Sequence, residues 1–361
     1  MSISDLLEQP PFAASRPEKV AVLLSGLAEL TEHHRRGSEP YRRMLDTVFG
    51  RAVAVPVSLA QIPWLPVRLF KRIDLISVPQ EQIIKKLVSS GTTGQAVSRI
   101  YLDSETASLQ TKALSKIAGE FIGRQRLPMV IVDDRSFLKD RANFNARAAG
   151  IIGFSTFGRD HTYLLDENLE PQWSGLELYL AKHAASPILL FGFTFIVWQH
   201  FIERARSKGL NIRFPRGSIL VHGGGWKRLA DRQISNDAFK AALADTFGIT
   251  RVHNYYGMVE QVGSVFFECE HGYLHPPSFA DVLIRDPVTL EIAPTGVQGL
   301  IQVLSLLPRS YPGHSLLTED LGTIHGEDDC PCGRSGKRFT VSGRLKNVEI
   351  RGCSDTRVVP N

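Results

Sequence analysis

Residues 187–227 read PILLFGFTFIVWQHFIERARSKGLNIRFPRGSILVHGGGWK, and this stretch decides the fold class. Two short runs, Ile188-Leu-Leu-Phe191 and Ser218-Ile-Leu-Val221, flank a helical stretch from Phe195 to Lys208. Strands that are apolar without alternation are buried on both faces, and a helix between consecutive strands makes a parallel crossover. The run Met129-Val-Ile-Val132 repeats the signal upstream, so the reading is an α/β body whose parallel sheet is covered by helices. Outward from this centre the texture changes. Residues 1–60 read as helices, with Val20, Leu23, Leu24, Leu27 and Leu30 at helical spacing. Ile62-Pro63-Trp64-Leu65-Pro66-Val67 reads as extended, because a residue before proline is pushed out of the α region. Beyond about residue 280 the chain turns to short strands such as Val282-Leu-Ile284 and Gly299-Leu-Ile-Gln-Val303.

The 361 residues are 43% hydrophobic and 22% charged, which excludes a disordered chain and allows a large core. The excess of 42 Lys+Arg over 37 Asp+Glu is spread along the chain with no basic stripe among aromatics, so a nucleic-acid partner is not expected. The N-terminus carries an early acid and no basic, apolar leader, which predicts a cytoplasmic protein. The most apolar stretch, Pro187 to Trp198, is shorter than the roughly 20 residues a membrane span requires.

Four segments carry chemistry. Ser89-Ser90-Gly91-Thr92-Thr93-Gly94 combines glycines that let backbone approach a ligand with hydroxyls and N–H groups that surround phosphate oxygens. It lacks the Gly-Lys-Ser/Thr ending of a P-loop, and by composition alone it is equally a structural turn. The others are Tyr255-Tyr256-Gly257-Met258-Val259-Glu260, Thr318-Glu319-Asp320 and Gly343-Arg344-Leu345-Lys346.

In this order the four segments resemble the motifs of the acyl- and aryl-adenylating superfamily. The resemblance implies roles: Tyr256 beside the adenine, Glu260 supporting Mg²⁺ at the triphosphate, Asp320 holding the ribose hydroxyls, and Arg344 near the ribose and α-phosphate. Gly223, Gly224 and Gly225 look like the glycine wall beside the adenine, and Lys346 joins the ATP-binding set. Members generally carry a further mobile C-terminal domain with a catalytic lysine. Only fifteen residues follow Lys346, so that domain is expected to be essentially absent, with Lys227 and Lys346 as candidate substitutes.

One truncated family fits: the LuxE-type acyl-protein synthetases of bacterial fatty-acid reductase systems. The resemblance includes Ile62-Pro63-Trp64, Gly223 to Trp226, and Glu349-Ile350-Arg351-Gly352-Cys353. It implies ATP-dependent activation of a long-chain fatty acid as acyl-AMP and transfer to Cys353. The acyl group then passes to a LuxC-type acyl reductase. Two alternatives stand beside it, an aryl- or acyl-CoA ligase of the phenylacetate-CoA ligase type and a non-catalytic nucleotide-binding relative. The expected divisions are a helical segment over 1–60, an α/β adenylation core over 61–280, a β-rich subdomain over 281–342, and a hinge with a short tail over 343–361.

Cys330-Pro331-Cys332-Gly333-Arg334 resembles a zinc-holding segment of phenylacetate-CoA ligases, with Cys269 and His275 upstream as the remaining ligands. Three thiolates and one imidazole make a closed, structural zinc site. Three reduced cysteines in a turn-rich region is the competing reading. Phe191-Gly192-Phe193-Thr194-Phe195 either lines an acyl pocket or forms a core corner.

Overall fold

The computed structural model describes residues 3–50, 55–89, 96–136, 146–226 and 234–345. The chain divides into two compact units, each described by itself. One is built from residues 119–255 and the other combines 1–118 with 256–349, so neither follows a single stretch of sequence texture.

The unit over 119–255 holds a parallel sheet in the order Gly158–Tyr163, Leu127–Val132, Leu189–Phe193, Ile219–Gly223, Arg251–Tyr256. The runs quoted above are its central strands, and every residue of Leu189–Phe193 and Ile219–Gly223 is buried. Parallel strands need crossovers, supplied by Ala146–Ser155, Trp173–Lys182, the helical stretch from Thr194 to Ser207, and Asn236–Phe247. The last is capped by Ser235, whose hydroxyl accepts from the Ala238 N–H at 3.1 Å, and ends on Gly248 at φ +74°. The helix expected from Phe195 to Lys208 is present, with a π-helical turn over Val197–Ile202 that no apolar period signals.

The second unit is dominated by antiparallel pairing. Its order is Ala280–Arg285, Gly299–Ser305, Ser315–Glu327, Lys337–Arg344, Leu274–His275, Phe266–Glu268. The β texture thus begins at Phe266, ahead of residue 280. The extended Pro-rich stretch lies here, Leu65–Pro66 pairing in parallel with Leu316 and Leu317. Ile83–Val88 and Arg99–Asp103 form a separate hairpin that carries the serine- and glycine-rich loop between them. The N-terminal helix Arg16–Gly37 buries Leu23, Leu27 and Leu30 as its spacing predicts. Val20 and Leu24 stand only half-buried, whereas Lys19, Thr31 and His34 share the buried face. Polar partners across the unit explain that exchange: Lys19 donates to the Pro276 carbonyl at 3.0 Å, and His34 meets the Ser77 hydroxyl at 2.8 Å. Among the described residues no helix is long and apolar enough to cross a membrane.

Candidate functional site

Three motif residues far apart in sequence converge in the antiparallel unit. Asp320 on Ser315–Glu327 and Arg344 on Lys337–Arg344 are cross-strand partners, and the Arg344 Nε donates to Asp320 Oδ1 at 3.0 Å. The other carboxylate oxygen accepts from the Tyr256 hydroxyl at 2.7 Å. Asp320 is fixed from its backbone as well, its N–H donating to the Thr318 hydroxyl at 3.2 Å. Tyr256 lies at the end of Arg251–Tyr256 and its ring stacks on Phe266 with centroids 6.1 Å apart. Burial, then the Asp320 charge, pushes the Tyr256 hydroxyl well above its ordinary range, so it stays protonated and donates.

Glu260 sits in the turn Val259–Gln261 and is buried. Burial raises its carboxyl above the ordinary range, while the Ser98 hydroxyl, Lys71 and Arg344 pull it back. A desolvated carboxylate with no ion pair among the described residues suits a hard divalent cation, so Glu260 fits as an oxygen ligand of Mg²⁺.

Of the serine- and glycine-rich loop, Ser89 is described, and its role is at the neck. Its N–H donates to the Ser98 carbonyl at 3.0 Å and its hydroxyl accepts from the Ser98 N–H at 2.8 Å. Ser90, Gly91, Thr92, Thr93 and Gly94 lie outside the described residues, as do Lys227, Lys346 and Cys353.

Arg68, on the turn after the Pro-rich strand, went unmarked by sequence reasoning. It binds Glu319 through Nε at 2.7 Å and Nη2 at 2.5 Å, beside Asp320. The Glu319 carbonyl in turn accepts from the Leu345 N–H at 3.0 Å, so this residue ties down the backbone just after Arg344. No local pattern announces a pair 251 residues apart.

In the parallel unit the glycine segment ends a central strand at its carboxyl edge, the edge where open α/β sheets bind ligands. A Cβ on Gly223 would strike the Tyr255 ring, and Gly224 adopts φ +77°, so neither position admits a larger residue without strain. The Thr194 hydroxyl lies 3.1 and 2.8 Å from the Gly223 and Gly224 carbonyls and 2.9 Å from His222 Nδ1. Burial depresses the His222 imidazole to about 3, leaving it neutral. Beside this segment Phe154 stacks on Phe191 at 4.6 Å, with Tyr255 5.0 Å from Phe154.

The four residues read as a metal set also meet, within the antiparallel unit. One ligand atom from each of Cys269, His275, Cys330 and Cys332 lies within 4.8 Å of all the others. Cys269 and Cys330 sulfurs are 3.9 Å apart, and the Cys332 sulfur is 3.5 Å from His275 Nε2. Burial depresses the His275 imidazole to about 4, so it is neutral and able to ligate. Burial likewise raises the Cys269 and Cys330 thiols, which a bound cation would reverse. Spacing and donor chemistry fit a tetrahedral zinc.

Comparison with known proteins bears on family and fold. The family described as Acyl-protein synthetase, LuxE matches residues 1–358. The chain is 24% identical over 331 residues to the long-chain-fatty-acid–luciferin-component ligase of Vibrio harveyi, spanning 90% of this chain and 84% of that protein. Its counterpart in Aliivibrio fischeri is 24% identical over 308 residues, 82% of this chain and 78% of that one. Among solved structures, an open conformation of 2-hydroxyisobutyryl-CoA ligase with 2-HIB-AMP and CoA superposes with a TM-score of 0.68 at 16% identity. That match covers 94% of this chain and 78% of that chain. The same ligase in its postadenylation state gives 0.69 at 16% identity, covering 94% and 70%. The architecture is therefore that of an adenylate-forming ligase. With a family match that runs over nearly its whole length, the chain belongs to the LuxE acyl-protein synthetases.

Proposed function

We propose that this protein activates a long-chain fatty acid with ATP as acyl-AMP, takes the acyl group onto Cys353 as a thioester, and passes it to a partner acyl reductase of the LuxC type. One observation carries the reading: the Asp320 carboxylate, held by Tyr256 and Arg344, is a prepared hydrogen-bond acceptor on an interior strand of the antiparallel pairing. A carboxylate has about four lone-pair sites, so Asp320 can accept from both ribose hydroxyls while keeping its present partners. Arg344, already at that carboxylate, would offset charge that develops on the α-phosphate. Glu260 would hold Mg²⁺, which screens the triphosphate. Of the glycine segment, Gly225 has open space among the described residues where a Cβ would stand, whereas the side of Gly223 is filled by the Tyr255 ring.

The acid's carboxylate oxygen attacks the α-phosphorus and pyrophosphate leaves. The Cys353 thiolate then attacks the acyl carbonyl and AMP leaves with the former carboxylate oxygen. The Cys269, His275, Cys330 and Cys332 cluster takes no part in this chemistry. As a structural zinc site it would contribute folding energy instead.

Incubation with ATP and a long-chain fatty acid should add one acyl mass to the intact protein, removable by neutral hydroxylamine and absent from Cys353→Ser. Transfer to free CoA with no protein adduct would support the CoA-ligase alternative. An adduct that persists in Cys353→Ser would place the acceptor elsewhere.

A further inference from the structure

The N-terminal segment from Pro11 to Lys19 is stitched to both loops that carry the Cys/His cluster. On the side of His275, the Pro11 carbonyl accepts from the Ser278 N–H at 2.6 Å and hydroxyl at 2.9 Å. Lys19, only 3% exposed, donates to the Pro276 carbonyl at 3.0 Å and faces Asp281 at 3.9 Å. On the side of Cys330 and Cys332, the Phe12 carbonyl accepts from the Ser335 N–H at 3.1 Å. Asp328 joins the two, accepting from the Arg16 N–H at 3.0 Å and from the Gly336 N–H at 2.6 Å.

The histidine of the cluster is held unusually. His275 points Nε2 at Cys332, while its Nδ1 is buried with no hydrogen-bond partner among the described residues. A metal-binding histidine is ordinarily oriented by a hydrogen bond from its second nitrogen. Here packing takes over: the buried Phe12 ring meets the His275 ring edge-on, 6.5 Å between centroids at 78°. The Arg334 guanidinium lies over the same Phe12 ring, 5.9 Å from its centroid.

We propose that Phe12 and Lys19 are positioning residues of the metal cluster, so that metal loading and docking of the N-terminal segment form one coupled equilibrium. The inference rests on the zinc reading of the cluster. Coupling of this kind is reciprocal: whatever metal does for the segment, the segment does for metal affinity. Phe12 fixes the imidazole, and Lys19 and Ser278 fix the backbone on the C-terminal side of it. Losing the metal frees the two loops, and with them every acceptor and donor that the segment uses.

Two measurements on the full-length protein test this. In the first, hydrogen exchange is followed before and after zinc is stripped. Amides of Phe12 to Arg16, Glu18 and Lys19 should lose protection at least tenfold, while those of Leu189–Phe193 stay unchanged. In the second, Phe12→Ala and Lys19→Met should release zinc to a chromophoric chelator about tenfold faster than the parent. Phe12→Leu, which keeps the apolar volume, should fall between and guards against a misfolded alanine variant. Zinc bound with unchanged exchange on removal, or unchanged release from all three variants, overturns the coupling alone. A protein that binds no added zinc removes the zinc reading and the coupling together.

Discussion

The two units bury very different interiors. In the parallel unit Leu127–Val132 and Leu189–Phe193 are apolar from end to end, Ile219–Gly223 carries the buried His222, and a buried ion pair, Asp133 with Arg147, stands just past the end of Leu127–Val132. The antiparallel unit instead buries Lys19, His34, Glu260, His275, Asp281, Arg285, Gln302 and His314. Buried polar groups are costly unless satisfied, so a unit that tolerates this many must be cross-linked by their hydrogen bonds. The lesson is one of specialisation. The parallel unit supplies a mostly apolar set of strands, and the antiparallel unit supplies the charges to which the proposed function assigns the ligand chemistry.

The largest effect that could break this contrast lies at the charged positions. Asp320→Ala and Glu260→Ala should each slow acid-dependent pyrophosphate exchange by 10²-fold or more, a barrier increase of about 2.7 kcal/mol. Parent rates in both variants would mean that these carboxylates serve the fold alone. A second comparison sets one buried ion pair against another. Asp281→Ala strands Lys337, which donates to it at 2.8 Å, together with Lys19, and should cost about 3–5 kcal/mol of stability by urea unfolding. Arg147→Ala should cost a similar amount in the parallel unit, since it strands Asp133. A loss below about 1 kcal/mol in either would show that its pair is hydrated in solution.

Acid titration sharpens the contrast further. His222 in the parallel unit and His314 in the antiparallel unit are each depressed to about 3 by burial. Between roughly pH 6.5 and 3 the unfolded chain therefore binds more protons than the folded one, and stability is full above that window and falls as pH drops through it. Each histidine contributes a slope of at most about 1.4 kcal/mol per pH unit. His222→Asn and His314→Asn should each flatten the dependence, and an unchanged slope in both would contradict their burial as neutral groups. The smallest effect belongs to the rim. Arg68→Ala removes an exposed pair with Glu319 and should change stability by less than about 1 kcal/mol.

Legibility in the sequence followed the same divide. Unbroken apolar runs such as Leu189–Phe193 announce their own burial, because nothing else explains them. The ordered motifs marked Tyr256, Asp320 and Arg344, and the structure brings those three side chains together. Lys19 and His34 were illegible, since a polar residue on an amphipathic helix defaults to solvent and their partners, Pro276 and Ser77, lie far along the chain. The Arg68 pair with Glu319 was hidden for the same reason of distance. Ser89 was legible as part of the loop, but its hydroxyl's task of closing the neck against Ser98 depends on hairpin register that composition does not encode.

The most direct test of the central claim is exchange of labelled pyrophosphate into ATP, measured across acids from acetate through long-chain fatty acids to benzoates. Acid-dependent exchange that is strongest with long-chain fatty acids and lost in Asp320→Ala is the predicted result. No exchange with any acid, from protein shown to be folded, would contradict it.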